Sequence, residues 1–285
     1  MDMDNEDIFN LTDIFEQNQN DEKTKVERVS LDMWGEKSFT SHKHSMAVNK
    51  FLKPFRTSLF KIIIETLYSN QIDIMVYAGT ALAVWRDGGN MIPHDHDIDL
   101  AISESDFIKV LKSLNERIDI FTDTTCPFTN NKWINDDCSD QVLYNQAGVK
   151  RIKVYFNELY LRKMSERDGK FKKLLNNYDR TKLFVDIFTF QKKVDTNFFR
   201  VTWNIRGVYD NDKKCFPEDT IFPLKEYKFE GISVLGPNNI ENYLSIEYGY
   251  LGKDARYDCD TQLYVKLSEQ EIKILPRNIK SYMTQ

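Results

Sequence analysis

Asp97 and Asp99 stand two residues apart in the stretch Ala78–Ile102, AGTALAVWRDGGNMIPHDHDIDLAI. On an extended strand such a pair shares one face, about 7 Å apart along the chain, while Ile98 and Leu100 turn toward a core. Like charges so placed repel, and a cation between them removes the conflict. Hard oxygen donors with open positions suit Mg2+ or Mn2+, ions that keep several waters and take up phosphate oxygens. Gly79 and Thr80 end the preceding apolar run. A glycine there lets backbone N–H groups approach a phosphate, and a helix starting at that point adds a favourable dipole. Asp186, within LFVDIFTF, is the candidate third acid, because a carboxylate in so apolar a strand is costly to bury alone. Its other reading is an ion pair with an arginine such as Arg151.

These groups need strands and helices to hold them. Leu59, Ile62, Ile63 and Leu67 recur at helical spacing, which predicts a helix from Pro54, in its first turn, to Tyr68. Ile72–Ala78 reads as a buried strand, Ala81–Arg86 as a short helix, and Asp87-Gly88-Gly89-Asn90 as a turn. Ile98–Ile102 is a second strand, and Ser103 with Asp106 opens a helix through Leu114. Val149–Phe156 and Lys182–Phe190 alternate as strands, whereas 122–148 is irregular, an insertion or loop. Asn238 as N-cap, with Glu241 three residues on, starts a helix to Tyr248 that Gly249 stops. Strands and helices intermix, so the class is α/β or α+β.

The 285 residues carry a formal net charge of −5, unevenly spread. The first 22 hold eight acids and no base, leaving 36 acids against 39 bases behind them. Residues 1–30 read as an acidic, disordered tail ahead of a single catalytic domain over 31–285, with its core in 55–250. Neither charge value suits a protein that coats nucleic acid. Aromatic residues make up 13% of the chain, a load that rules out wholesale disorder. No apolar run approaches the ~18 residues of a membrane span, and the acidic start does not resemble a signal peptide, so a cytoplasmic location is expected. The four scattered cysteines include Cys126 and Cys138, spaced to close on zinc; reduced thiols are the simpler reading.

Two further features compete for a functional reading. His94 and His96 make an H-D-H-D run that invites a metallohydrolase with nitrogen ligands. One such motif needs acid and histidine where Ile98 and Asp99 stand, and another needs a helix, against which Pro93 argues. Between Lys150 and Lys182 stand eleven bases and four acids, a stretch that holds an anionic acceptor or a nucleotide, or else is a solvated helix face. The aromatic group Trp203, Tyr209, Phe216 and Phe222 is expected in the core rather than as a sugar platform.

Several motifs in order resemble the LicD/fukutin family. They are Gly79-Thr80, Arg86, Ile92-Pro93-His94-Asp95-His96-Asp97-Ile98-Asp99, then Val185–Phe188, Phe222–Leu224, Phe229–Gly231 and Pro237–Gly249. His94 stands where the family often has tryptophan, and no membrane anchor of the kind some members carry is seen. The resemblance implies a nucleotidyltransferase-like mixed sheet flanked by helices, with an irregular insertion and a C-terminal helical part. It implies transfer of a phospho-alcohol, such as phosphocholine or an alditol phosphate, from a CDP-linked donor to a glycan hydroxyl. On this reading Asp97, Asp99 and Asp186 hold Mg2+ or Mn2+, and Asp186 accepts the acceptor's proton. Gly79, Thr80, Arg86 and Asp95 serve the donor, Arg86 through a guanidinium suited to phosphate and Asp95 as a further ligand or an orienter of ligands. Two rivals stand beside it: attachment of a nucleoside monophosphate to a sugar, protein or RNA, for which the metal site looks alike, and a catalytically inactive binding module, against which the retention of Asp97, Asp99 and Asp186 counts.

Overall fold

A strand is apolar on both faces where the sheet is covered on both sides, and Val185–Phe190 is such a run, buried at every position. In the computed structural model, which describes residues 39–93, 95–124, 151–177, 183–193, 196–201, 215–258, 261 and 263–274, this run is a central strand. The elements begin α1 (Phe39–Ser69), β1 (Met75–Val76), α2 (Ala78–Arg86), β2 (Asp99–Ser103), α3 (Phe107–Asn115) and β3 (Ile120–Asp123). There follow β4 (Arg151–Phe156), α4 (Glu158–Ser165), α5 (Gly169–Asn177), β5 (Val185–Lys192), β6 (Phe198–Val201), β7 (Phe216–Pro217) and α6 (Glu218–Ile221). The chain closes with β8 (Lys225–Phe229), β9 (Ile232–Gly236), α7 (Ile240–Tyr248), β10 (Ala255–Asp258), β11 (Leu263–Lys266) and α8 (Glu269–Ile274).

Nine strands form one mixed, open sheet in the order β3-β4-β5-β2-β1-β9-β8, with β6 against β5 and β7 against β6. The pairs β2–β5 and β1–β9 are parallel and the others antiparallel. β10 and β11 make a separate two-stranded sheet between the helices α7 and α8. The expected α/β class with a mixed sheet and flanking helices is therefore what the chain adopts. Leu52, Phe55, Leu59 and Ile63 line the buried side of α1, which packs against α3 and β5.

Several element bounds differ from the sequence reading, each for a physical reason. The first helix starts at Phe39 and carries Pro54 in its interior, not in its first turn. An internal proline costs about 3 kcal/mol, less than the burial of Leu52 and Phe55 on either side returns. The strand expected over Ile72–Ala78 is only Met75–Val76. Tyr77 still donates its N–H to the Asp99 carbonyl at 3.0 Å, after which Ala78 turns left-handed at φ +44° and the helix begins. Gly79 and Thr80 thus lie in the first turn of α2, not ahead of a helix at Ala81. β2 starts at Asp99, so Asp97 lies in the bend before the strand. The helix expected from Ser103 is a 3-10 turn over Glu104–Asp106 followed by α3. The cap of α7 is Asn239, one residue later than expected, with its side chain accepting the Asn242 N–H at 3.1 Å. β3 is a strand the sequence reading missed.

The glycine turn is pinned rather than loose. Gly89, at φ +79°, lies so close to the Lys228 carbonyl that a side chain would collide with it. The Gly89 carbonyl accepts the Glu230 N–H at 2.7 Å. The Glu230 carboxylate in turn accepts the Met91 N–H at 2.5 Å and pairs with Lys53 at 2.9 Å. The turn between β8 and β9 thereby fixes the chain that leads to Asp95–Asp99.

Phe216 is fully buried, as expected of the core, but Phe222 is 39% exposed. Trp203, Tyr209, His94, Cys126, Cys138 and the acidic tail 1–30 lie outside the described residues. Cys215 is half-buried. Among the described residues no helix is long and apolar enough to cross a membrane.

Candidate metal centre

Parallel pairing of β2 with β5 sets Asp99 directly beside Asp186. The bend before β2 swings Asp97 toward the same point. One carboxylate oxygen from each of the three lies within 4.8 Å of the other two. All three residues are buried, between 4% and 7% exposed. The convergence expected from sequence is real, although Asp97 reaches it from a bend and not from a shared strand face.

Asp97 Oδ1 and Asp186 Oδ1 are buried and receive no hydrogen bond among the described residues. A buried charge without donors is costly, and an ion of opposite sign answers that cost. Three carboxylates with two bare buried oxygens fit a hard divalent cation such as Mg2+ or Mn2+. Asp95, His96 and Asp97 form a second group with ligand atoms within 4.8 Å of one another. His96 Nε2 lies 3.6 Å from Asp97 Oδ2, so a nitrogen donor borders the centre.

The loop bearing Asp95 and Asp97 is held from α1. Arg56, 1% exposed, donates from Nη1 to Asn49 Oδ1 at 2.7 Å and to the Asp95 carbonyl at 3.4 Å. Asn49 donates to the Pro93 carbonyl at 3.2 Å. Neither residue was flagged in the sequence, where Arg56 sits among apolar helix positions and Asn49 precedes the periodic run. Thr80 Oγ1 accepts the Asp99 N–H at 2.8 Å, which ties the start of β2 to α2. A side chain on Gly79 would come within 2.5 Å of Asp95 Oδ2 and 3.8 Å of Asp99 Oδ2. The room left by this glycine therefore goes to the Asp95 carboxylate. The Ala78 N–H donates to the buried Tyr243 hydroxyl at 3.1 Å, so α7 anchors the same turn.

Asp186 stands in the carboxylate cluster and also beside Arg151, the partner of its other reading. Its Oδ2 faces Lys153 Nζ at 3.3 Å and Arg151 Nη1 at 3.7 Å, while Oδ1 is buried and receives no hydrogen bond among the described residues. The basic stretch is accordingly not one helix face. Arg151 and Lys153 stand on β4 beside the cluster, whereas Arg162 on α4 is exposed and pairs with Glu158. Arg86 is drawn elsewhere: its Nε bonds Asp87 Oδ2 at 2.8 Å, and Asp87 also pairs with Lys253 at 3.0 Å.

Burial pushes the Asp99 carboxyl well above its ordinary range, with Asp97, Asp95 and Asp186 adding to the shift. Burial likewise raises Asp186 to about 6, against the opposing pull of Arg151 and Lys153. Both folded-state values exceed the unfolded ones, so the stability these groups contribute is present in acid and is lost as pH rises, for Asp186 through about 6. A bound cation favours the ionised carboxylates and reverses that loss. We therefore expect Mg2+ to raise the melting temperature more at about pH 7.5 than at pH 5, measured against EDTA. Asp99→Asn in EDTA at the higher pH should melt about 2–4 °C above wild type. Equal metal-induced shifts at both pH values would remove the cluster from the cation's binding.

The model of the LicD/FKTN/FKRP nucleotidyltransferase domain matches residues 71–239, more than half of the chain. The chain belongs to the LicD/FKTN/FKRP family. The matched span runs from the end of α1 to the cap of α7, and so contains β1 through β9 and every member of the carboxylate cluster. Membership of the LicD family implies a transferase of phosphotransferase type acting on glycans. No curated protein matches the chain.

Proposed function

We propose that this LicD-family protein moves a phospho-alcohol, phosphocholine or an alditol phosphate, from a CDP-linked donor to a glycan hydroxyl. The observation that carries the reading is the convergence of the Asp97, Asp99 and Asp186 carboxylates within 4.8 Å, with Asp97 Oδ1 and Asp186 Oδ1 buried and receiving no hydrogen bond among the described residues. Asp97, Asp99 and Asp186 are the residues that would hold Mg2+ or Mn2+. A divalent ion bound there supplies neutralisation of the charge that gathers on the donor diphosphate as CMP departs.

The remaining work falls to the chain. The acceptor oxygen attacks the phosphorus that carries the alcohol, a P–O bond forms to the glycan, and the bond to the CMP phosphate oxygen breaks. Asp186 takes the proton from the attacking hydroxyl, a role that its place in the carboxylate cluster supports. Thr80 and Gly79 hold the turn against which Asp95 and Asp99 are set. One sheet built from strands between 75 and 236 supports a single catalytic unit with its core in 55–250.

The test is a screen of CDP-linked alcohols and nucleoside triphosphates with Mg2+ or Mn2+ and glycan acceptors, following released CMP against pyrophosphate. CMP from a CDP-alcohol, dependent on metal, is the expected result. Pyrophosphate from a triphosphate with label on the acceptor would instead make the chain a nucleotidylyltransferase.

A further inference from the structure

We propose that Lys153 is the donor-phosphate contact of this site, resting on Asp186 until a metal-bound diphosphate arrives. The proposal rests on the reading of Asp97, Asp99 and Asp186 as the cation's ligands. In the β4–β5 register Lys153 stands directly opposite Asp186. Its ammonium lies 3.3 Å from Asp186 Oδ2 and 3.2 Å from the centre of the Phe184 ring. The side chain is 21% exposed against 5% for Asp186, so Lys153 is the more accessible member of the pair.

An ammonium offers three N–H donors. Asp186 takes one, at a length greater than the ~2.7–2.9 Å of a tight charge-assisted bond, and the Phe184 ring face covers another side. The remaining donor is available to an incoming anion. Lys153 and Arg151 answer part of the charge of the three clustered carboxylates through Asp186. A divalent cation meets that demand itself and weakens the hold of Asp186 on the ammonium. The diphosphate that arrives with the cation then offers Lys153 a stronger partner, and a compact point charge on a long stem can pivot between the two. Arg86, the phosphate ligand expected from sequence, bonds Asp87 through its Nε.

The test reads two affinities expected to move in opposite directions. Lys153→Met keeps the length of the stem and removes the charge. Mn2+ binding alone, followed by the spin resonance of the free ion, should tighten about threefold or more, because a competing cation is gone. CDP binding at saturating Mn2+, followed by calorimetry, should weaken about tenfold. Tighter Mn2+ binding also certifies that the variant is folded at the site; Lys153→Gln replaces it should the methionine variant not fold. Unchanged CDP affinity, or Mn2+ affinity that is unchanged or weaker, overturns the proposal, as does a wild type that takes Mn2+ but no CDP. A wild-type protein that takes up no Mn2+, or an Asp97→Asn variant that takes it up as well as wild type, sinks the cation reading itself.

Discussion

Asp97→Asn and Asp99→Asn should each lower turnover about a thousandfold, close to 4 kcal/mol of transition-state stabilisation, while leaving the protein folded. Asparagine keeps the volume and one carbonyl oxygen but gives up the charge that draws the cation. The backbone is unaffected, because the Asp99 ladder bond to Tyr77 and its N–H bond to Thr80 use main-chain atoms. Asp97 Oδ1 contributes no hydrogen bond to the fold, so its replacement leaves no described donor stranded. Removing one of several crowded buried charges relieves repulsion, and stability and activity should move in opposite directions. Steady-state rates together with melting in EDTA decide the matter. Turnover within about tenfold of wild type in either variant would refute the assignment.

The parts of this site legible in the sequence were those in which charge contradicts surroundings. Asp186 in LFVDIFTF and the Asp97–Asp99 spacing each posed a cost that only a partner relieves, and the sheet register brings them together. The α/β class followed from alternating apolar patterns, which report burial directly. Tertiary packing hid the rest. Pro54 inside α1 and the two-residue β1 are local sacrifices sustained by contacts from distant elements. Arg56 and Asn49 reach the metal loop across about forty residues of sequence, and no local pattern announces such a contact. Lys153 was visible only as one base among eleven, because its role depends on which strand lies opposite it.

Asp186→Asn should bind the donor and fail to transfer it. Asp97 and Asp99 remain to hold the cation, and Lys153, released from its carboxylate, stays beside the diphosphate. Donor KM should therefore stay within about threefold of wild type while kcat falls by about a thousandfold, the pattern of an interaction used only in the transition state. An amide accepts a hydrogen bond yet cannot carry the acceptor's proton near neutral pH, so restoring metal at high concentration should not rescue the rate. Were Asp186 only a structural partner for Arg151 and Lys153, the asparagine variant would lose an ion pair and melt lower while transferring normally. Measuring kcat, KM and melting on one preparation separates these cases, since a proton acceptor forced into burial predicts a slower enzyme that is no less stable than its parent.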